Sequence, residues 1–472
     1  MVSFIVYDLV FMVLFGIFTF FILNRHKENL KRQGWMFLYH TNVVLIFIDL
    51  TEKNFEKILK PLSYVVITSG YVLMASILWM ISRTVWLYVT TPIPEELKNL
   101  PPIAPLIPYF PKLFGLESFF PPLYFTYFLV ALAIVAVSHE FAHGIFARLW
   151  GIRVKTTGLA FFGPFFGAFV EPDEKQMAKA PKKHQLSILA AGTFANILMT
   201  ILFGLLLWVF FAFSFAPGGV IFNAYAQSVV NVSDISHVEN YSVIAVGSIY
   251  NLTHEGLNKL QIAGDTYYAP REALTPEILN ANEQIIVFDD APAIRENLIG
   301  AITSIDGVPI MNTADLSNSL DSLTPGREIV VTTIDKEGMK HTYNFAPDER
   351  NGRAYFGIGF YPQETQGFRG AIKSMFAKVK MPNTYYVPTW DGEFAQFIYD
   401  LLWWVVVINV LVALMNMLPV SILDGGRFFY ITVMGMTGSE KTAKKVYSLI
   451  SWFILLLLII MMAKWMFNFI VN

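Results

Sequence analysis

From Leu186 to Phe215 the chain runs for 30 residues without one charged side chain. Crossing a bilayer as a helix takes about 20 apolar residues, so a run of this length reads as a membrane span. In hydrocarbon the backbone has no water to bond, which restricts such a segment to a helix that satisfies its own peptide groups. Comparable runs occupy Phe4–Leu23, Leu62–Trp86, the stretch from Leu123 onward, the stretch ending near Asn416, and Val446–Phe467. The composition agrees: 55% of residues are hydrophobic and 15% charged, where soluble domains carry about 25% charge. The expected fold is an α-helical polytopic membrane protein with about six transmembrane helices.

Flanking charges orient the spans. Arg25, Lys27, Lys31 and Arg32 follow the first apolar run, which places its start outside and residues 25 to 34 in the cytoplasm. The basic residues lie after the apolar core rather than before it, so the run reads as a retained helix and not a cleaved signal. Asp8 within it is expected near the outer interface. Met36–Leu50 is too short to cross and is expected along the inner face or as a re-entrant segment. Eight prolines between Thr91 and Pro122 preclude a continuous helix there and mark an external connection.

The chemistry-bearing stretch is Val137–Arg148, VSHEFAHGIFAR. His139 and His143 are four residues apart, hence on one helical face, where both imidazoles can hold one metal ion. Glu140 stands beside the first of them, placed to take a proton from a water attacking a carbonyl. Two histidines and a glutamate at the end of an uncharged run are costly in lipid unless a cavity or partners receive them. Counted from Leu123, His139 lies about 24 Å along the helix, in the inner half of a hydrocarbon core about 30 Å thick.

Further segments converge on that level. Gly158–Glu171, GLAFFGPFFGAFVE, has glycines and a proline that forbid a regular helix and alternating phenylalanines that suit a hairpin dipping toward the bilayer. Such a hairpin is tolerable at depth only beside a protein-lined cavity, next to the metal ligands. Gly192 and Asn196 share a face of the Leu186–Phe215 helix, the amide serving either to bind helices together or to orient a substrate carbonyl. Asp400, Trp403 and Trp404 mark the outer rim of a later span, which ends in NMLPVSILDGGR. There Pro419 and two glycines break the helix so that Asp424 can turn inward as a third ligand; the bland alternative is a helix cap paired to Arg427. Asn416 is placed to hydrogen-bond a ligand or the substrate backbone.

Residues 217–395 change character to polar, turn-rich segments with short alternating strands. Three sequons, at Asn231, Asn240 and Asn251, agree with an external location. Within residues 291–333, strands meeting at an Asp306-Gly307 turn, a short helix from Thr313 and a closing strand pair resemble a PDZ domain. Gly300, Asp306 and Gly307 are the backbone positions that mark this expected substrate filter, which would take extended peptides by strand addition. Residues 217–290 are less legible, and their pattern leaves open whether this part holds one PDZ-like unit or a second, diverged copy.

HEFAH, AGTFAN, the PDZ-like insert and NMLPVSILDGGR occur in one order across residues 121–436. Together they resemble the site-2 protease family, intramembrane zinc metalloproteases of the M50 type. The resemblance implies one Zn²⁺ held by His139, His143 and Asp424, with Glu140 as general base. It also implies a transmembrane protein substrate, pre-cleaved outside, that unwinds to expose its scissile bond. Thr193 stands where many members carry proline. The expected organisation of the chain is two N-terminal helices (1–90), which the minimal family core lacks, a Pro-rich external loop (91–122), a membrane core (123–216), an α+β PDZ-like extracytoplasmic part (217–395), a second core segment (396–436) and a C-terminal helix (437–472), in the cell membrane. Absence of cysteine excludes thiolate ligands and cysteine nucleophiles. A net charge of −2 with no basic patch gives nucleic acid no footing, leaving lipid as the other partner. The competing readings are a metal transporter or sensor, and an inactive scaffold, both using the same ligands.

Overall fold

The computed structural model describes residues 4–25, 30–33, 36–41, 43–91, 106–117, 120–162, 165–335, 338–360 and 380–471. Most of the proline-rich stretch, and Gly163 and Pro164 of the hairpin tip, lie outside the described residues. The chain divides into two compact units, Met1–Phe210 with Gln396–Asn472, and Phe211–Ala395. Among the described residues, six helices are long and apolar enough to cross a membrane.

The first unit is built on α1 (Phe4–Arg25), α2 (Val43–Thr90), α3 (Phe125–Leu149), α4 (Lys182–Ser214), α5 (Gly392–Asn416), α6 (Asp424–Thr437) and α7 (Glu440–Val471). Their outward faces are apolar, as a lipid solvent requires: Phe20, Phe21, Leu205 and Phe213 are all exposed. Their packed interior joins Ile48 and Val66 of α2, Ile145 and Phe146 of α3, Ile188 and Leu189 of α4, and Phe428 and Ile431 of α6. Those are the helices that also carry the histidines, Asn196 and Asp424, so the apolar core braces the polar site.

Two stretches gain tertiary detail here. Met36–Leu50 divides between two elements. Met36–Thr41 is a strand, β2, preceded by β1 (Leu30–Gln33), while Val43 onward forms the first turns of the 48-residue α2. The strand forms because β2 finds a partner distant in sequence: it pairs with β3 (Val154–Phe162), Phe37 opposite Phe161 through Thr41 opposite Thr157. β3 pairs in turn with β4 (Phe165–Pro172), so the expected two-stranded hairpin is half of a four-stranded sheet ordered β1-β2-β3-β4.

Asp8, expected near the interface, is 2% exposed. Its Oδ2 accepts the Phe125 N–H at 2.6 Å and the Tyr109 hydroxyl at 2.5 Å; its Oδ1 accepts the Thr126 N–H at 3.0 Å and the Thr126 hydroxyl at 2.6 Å. The residue before α3, Tyr124, supplies no side-chain cap, so this carboxylate from another helix satisfies donors that the first turn leaves open. The rim assigned to Asp400 and Trp404 is likewise buried. Trp404 is fully enclosed and donates its indole N–H to the Pro122 carbonyl at 3.1 Å, which removes its need for the interface, and Asp400 accepts from Gln396 at 2.8 Å.

The second unit holds two six-stranded antiparallel sheets. One contains the turn that the sequence marks: Asp306 (φ 49°) and Gly307 (φ 78°) both lie in the left-handed region, the geometry that a two-residue hairpin demands. The Asp306 carboxylate accepts the Val330 N–H at 2.8 Å, stitching Ala301–Ile305 to Ile329–Ile334. The helix Thr313–Ser322 follows, capped by Asn312 on the amides of Ala314 and Asp315. The other sheet, from Gln227 to Asp289, has a separate core of Val232, Leu260, Ile262, Leu274 and Ile285. Its strand order differs from that of the first sheet, although it too has a two-residue turn, Ala263-Gly264, followed by a short helix, Pro276–Ala281, before the strand Gln284–Asp289.

Candidate metal centre

α3 presents His139 and His143 on one face with their Nε2 atoms 3.1 Å apart. Asp424, in the first turn of α6, closes a triangle: its Oδ2 lies 3.1 Å from His139 Nε2 and 3.2 Å from His143 Nε2. Both histidines are buried and the carboxylate is half-buried. The hydrogen-bond partners behind the rings fix what these atoms are. His143 Nδ1 donates to the Ile188 carbonyl at 2.7 Å, so its Nε2 carries a lone pair. His139 Nδ1 faces the Asn196 amide at 3.1 Å. It is the Asn196 Nδ2 that lies there, while the buried Asn196 Oδ1 has no partner among the described residues; turning the amide over would give that oxygen the Nδ1–H and leave His139 Nε2 a lone pair, as a metal ligand requires.

With both imidazoles neutral and their Nε2 atoms unprotonated, three electron-pair donors point at a common centre, the arrangement a bound cation requires. Zinc bonds of about 2.0–2.1 Å in tetrahedral geometry put ligand atoms about 3.3 Å apart, close to the observed triangle. Gly192 supplies a second test. A Cβ on it would fall 2.5 Å from both Nε2 atoms, so only glycine keeps the centre of the triangle open. The residues fit a zinc ion.

The local sequence explains how Asp424 arrives. After α5 ends at Asn416, the chain doubles back so tightly that a Cβ on Gly425 would meet the Met417 carbonyl carbon at 2.3 Å. The two glycines let the start of α6 lie directly on that turn and direct the acid inward. The alternative of a cap paired to Arg427 does not form: Arg427 turns to Glu174 at 3.4 Å. Asn416 is half-buried at the end of α5, and no hydrogen bond ties its amide to the three donors.

Glu140 stands half-buried beside the triangle, its Oε2 accepting the Val170 N–H of β4 at 2.9 Å. A cavity of about 680 Å³ opens there, lined by Glu140, His143 and Asp424 on one side and by Leu38, Phe169 and Met177 on the other. Its rim carries the ion pairs Lys155–Glu171 at 3.8 Å and Arg427–Glu174. The site is therefore open to water on one side and closed by apolar helices behind. Gly300, Asp306 and Gly307 belong to the other unit, where Gly300 borders an apolar cavity of about 640 Å³ with Tyr225, Phe288 and Leu298.

Sequence reasoning missed the Ile188 carbonyl and the Val170 N–H, since backbone groups leave no mark in side-chain identity. It noticed Gly192 and Asn196 as one helical face but not that this face backs the metal ligands.

The same segments are what comparison with known proteins picks out. The chain is 43% identical over 72 residues to an uncharacterized protein of Methanocaldococcus jannaschii, a match covering 15% of this chain and 20% of that one. It is 23% identical over 445 residues to a Neisseria meningitidis serogroup A protein named Putative zinc metalloprotease, covering 72% of this chain and 97% of that one. The model of Peptidase family M50 matches residues 127–460, a span that takes in both histidines, Glu140, Asn196 and Asp424. An integral membrane protein whose candidate metal ligands come from both ends of that match, this chain belongs to peptidase family M50.

Proposed function

We propose that the chain is a zinc-dependent endopeptidase that cleaves a transmembrane segment of a membrane-anchored protein within the bilayer. The observation that carries this is Glu140 beside three convergent donors, at the mouth of a cavity in a bundle of membrane-length helices. A zinc ion held by His139, His143 and Asp424 supplies Lewis acidity, which polarises a scissile carbonyl and an attacking water. Glu140 accepts the proton of that water and delivers it to the departing amine, while the Val170 N–H holds its carboxylate in place. Asn196 and the Ile188 carbonyl keep the imidazoles aimed. Thr193, where many relatives carry proline, turns its hydroxyl to the Ala190 carbonyl at 3.0 Å and leaves the metal ligands untouched.

A helical substrate hides its carbonyls in its own hydrogen bonds, so it must extend before it can be cut. β4 ends the sheet order, and its outward edge is the side that bonds Glu140. An unwound segment pairing there would present its backbone to the base. The PDZ-like unit acts outside the membrane as a filter for substrates already trimmed there, and the metal site lies toward the cytoplasmic side of the plasma membrane.

The test is Glu140→Gln in purified full-length protein, with metal analysis and digestion of a membrane-anchored reporter. Hydrolysis needs this carboxylate and metal binding does not. The expected outcome is stoichiometric zinc in both proteins and loss of cleavage by about a thousandfold or more in the variant. Cleavage retained by the variant would refute the peptidase reading, while zinc without cleavage in both proteins would favour transport or sensing.

A further inference from the structure

We infer that Asp8 is a positioning residue for the metal site, and that α1 is thereby part of the working core although it lies outside the family match at residues 127–460. The inference rests on the reading of His139, His143 and Asp424 as metal ligands.

α1 buries two of its side chains, Asp8 and Thr19, and otherwise presents apolar groups outward. A carboxylate is the costliest group to place in such a helix unless its surroundings compensate it. Here the compensation is concentrated on one target: two backbone N–H groups of the first turn of α3, the Thr126 hydroxyl, and the Tyr109 hydroxyl that braces the carboxylate from the opposite side. Phe11 and Phe15 of α1 add ring contacts to Phe125 at 5.9 and 5.8 Å. The contact thus pins the axial position of α3, and a negative charge at a helix N-terminus also complements the helix dipole.

His139 follows Phe125 by 14 residues, about 21 Å along the same rod. A helix transmits an axial shift along its length with little loss, and metal ligands tolerate displacements of only about 0.2 Å. At its other end α3 is held to α4 through Asn196 and the Ile188 carbonyl. Asp8 fixes one end of α3 and α4 fixes the other, so the ligand triangle depends on both. Without Asp8, these first-turn donors, enclosed with the buried Phe125, must seek other acceptors by sliding, tilting or unwinding the helix.

The experiment compares the full-length wild type with Asp8→Asn, which keeps the size of the side chain, and with Tyr109→Phe, which removes one of four donors. Three measurements are made: amide hydrogen exchange of the metal-free protein, visible absorption of the Co²⁺-substituted protein, and steady-state cleavage of one reporter. For Asp8→Asn we expect faster exchange both at residues 125–128 and at residues 139–146, a shifted cobalt spectrum at full occupancy, and kcat lower by about tenfold or more with KM within about twofold. Tyr109→Phe should move each readout in the same direction by less. Exchange that rises at residues 125–128 alone, with the cobalt spectrum unchanged and kcat within about twofold, would make Asp8 a local cap and overturn the inference. If Asp8→Asn does not fold, wild-type spectrum and kcat in Tyr109→Phe overturn it. A wild type that binds metal but cleaves nothing would refute the peptidase function alone, and the exchange and cobalt results would still decide the role of Asp8.

Discussion

Asp8 and Asp424 are both carboxylates within the helical unit, and their surroundings are opposite in kind. Asp8 is ringed by four N–H and O–H donors. Asp424 faces two imidazole nitrogens, one of them on a ring whose Nδ1–H is given to the Ile188 carbonyl. The first acid is complete as it stands and joins two helices; the second is complete only with a cation. What identifies an intramembrane acid as a metal ligand is therefore not its presence or its burial but whether the atoms it meets are donors or lone pairs.

The largest expected effect tests that distinction directly. Asp424→Asn removes the one negative ligand and should cut bound zinc from one equivalent to less than about a tenth, with cleavage down about a thousandfold or more. Asp8→Asn should leave zinc stoichiometric. Metal analysis of the two proteins side by side decides, and equal zinc content in both would remove the contrast.

Gly192→Ala sharpens the same point from the space in the triangle. Its methyl group would sit 2.5 Å from both Nε2 atoms, so the imidazoles must part. Zinc affinity should fall about a hundredfold, read by competition with a chelator, while thermal unfolding of the metal-free protein changes little. Unaltered affinity would mean that the metal lies elsewhere.

The smallest effect belongs to the second unit. Gly307→Ala places a side chain at φ 78° in the Asp306-Gly307 turn and should destabilise that unit by about 1–2 kcal/mol, seen as a lower melting transition. Zinc content should not change. A loss of zinc in this variant would show that the integrity of the turn reaches the metal ligands.

Several elements were readable from local pattern. Long uncharged apolar runs gave the membrane-length helices, His139-Glu140-x-x-His143 gave one half of the candidate metal site, and Asp306-Gly307 gave its hairpin turn, because each rests on residues adjacent or a few positions apart. That Met36–Thr41 is a strand was not legible, because its partner, β3, is more than a hundred residues away and a short apolar run has no periodicity of its own. The acceptor of the Trp404 indole N–H, the Pro122 carbonyl, was not legible because it is a backbone group from the approach to another helix.

From its sequence alone, then, this protein is determined to be a bundle of membrane helices carrying an HExxH segment and a later acid after a helix break, since hydropathy and short spacings are properties of the chain itself. Only the folded structure decides that Asp424 meets both imidazoles, that Gly192 leaves the centre open, and that Asp8 caps the helix bearing the histidines. Those are contacts between segments up to several hundred residues apart. Their geometry is set by how whole helices pack, and no local pattern encodes which donor an acid will find.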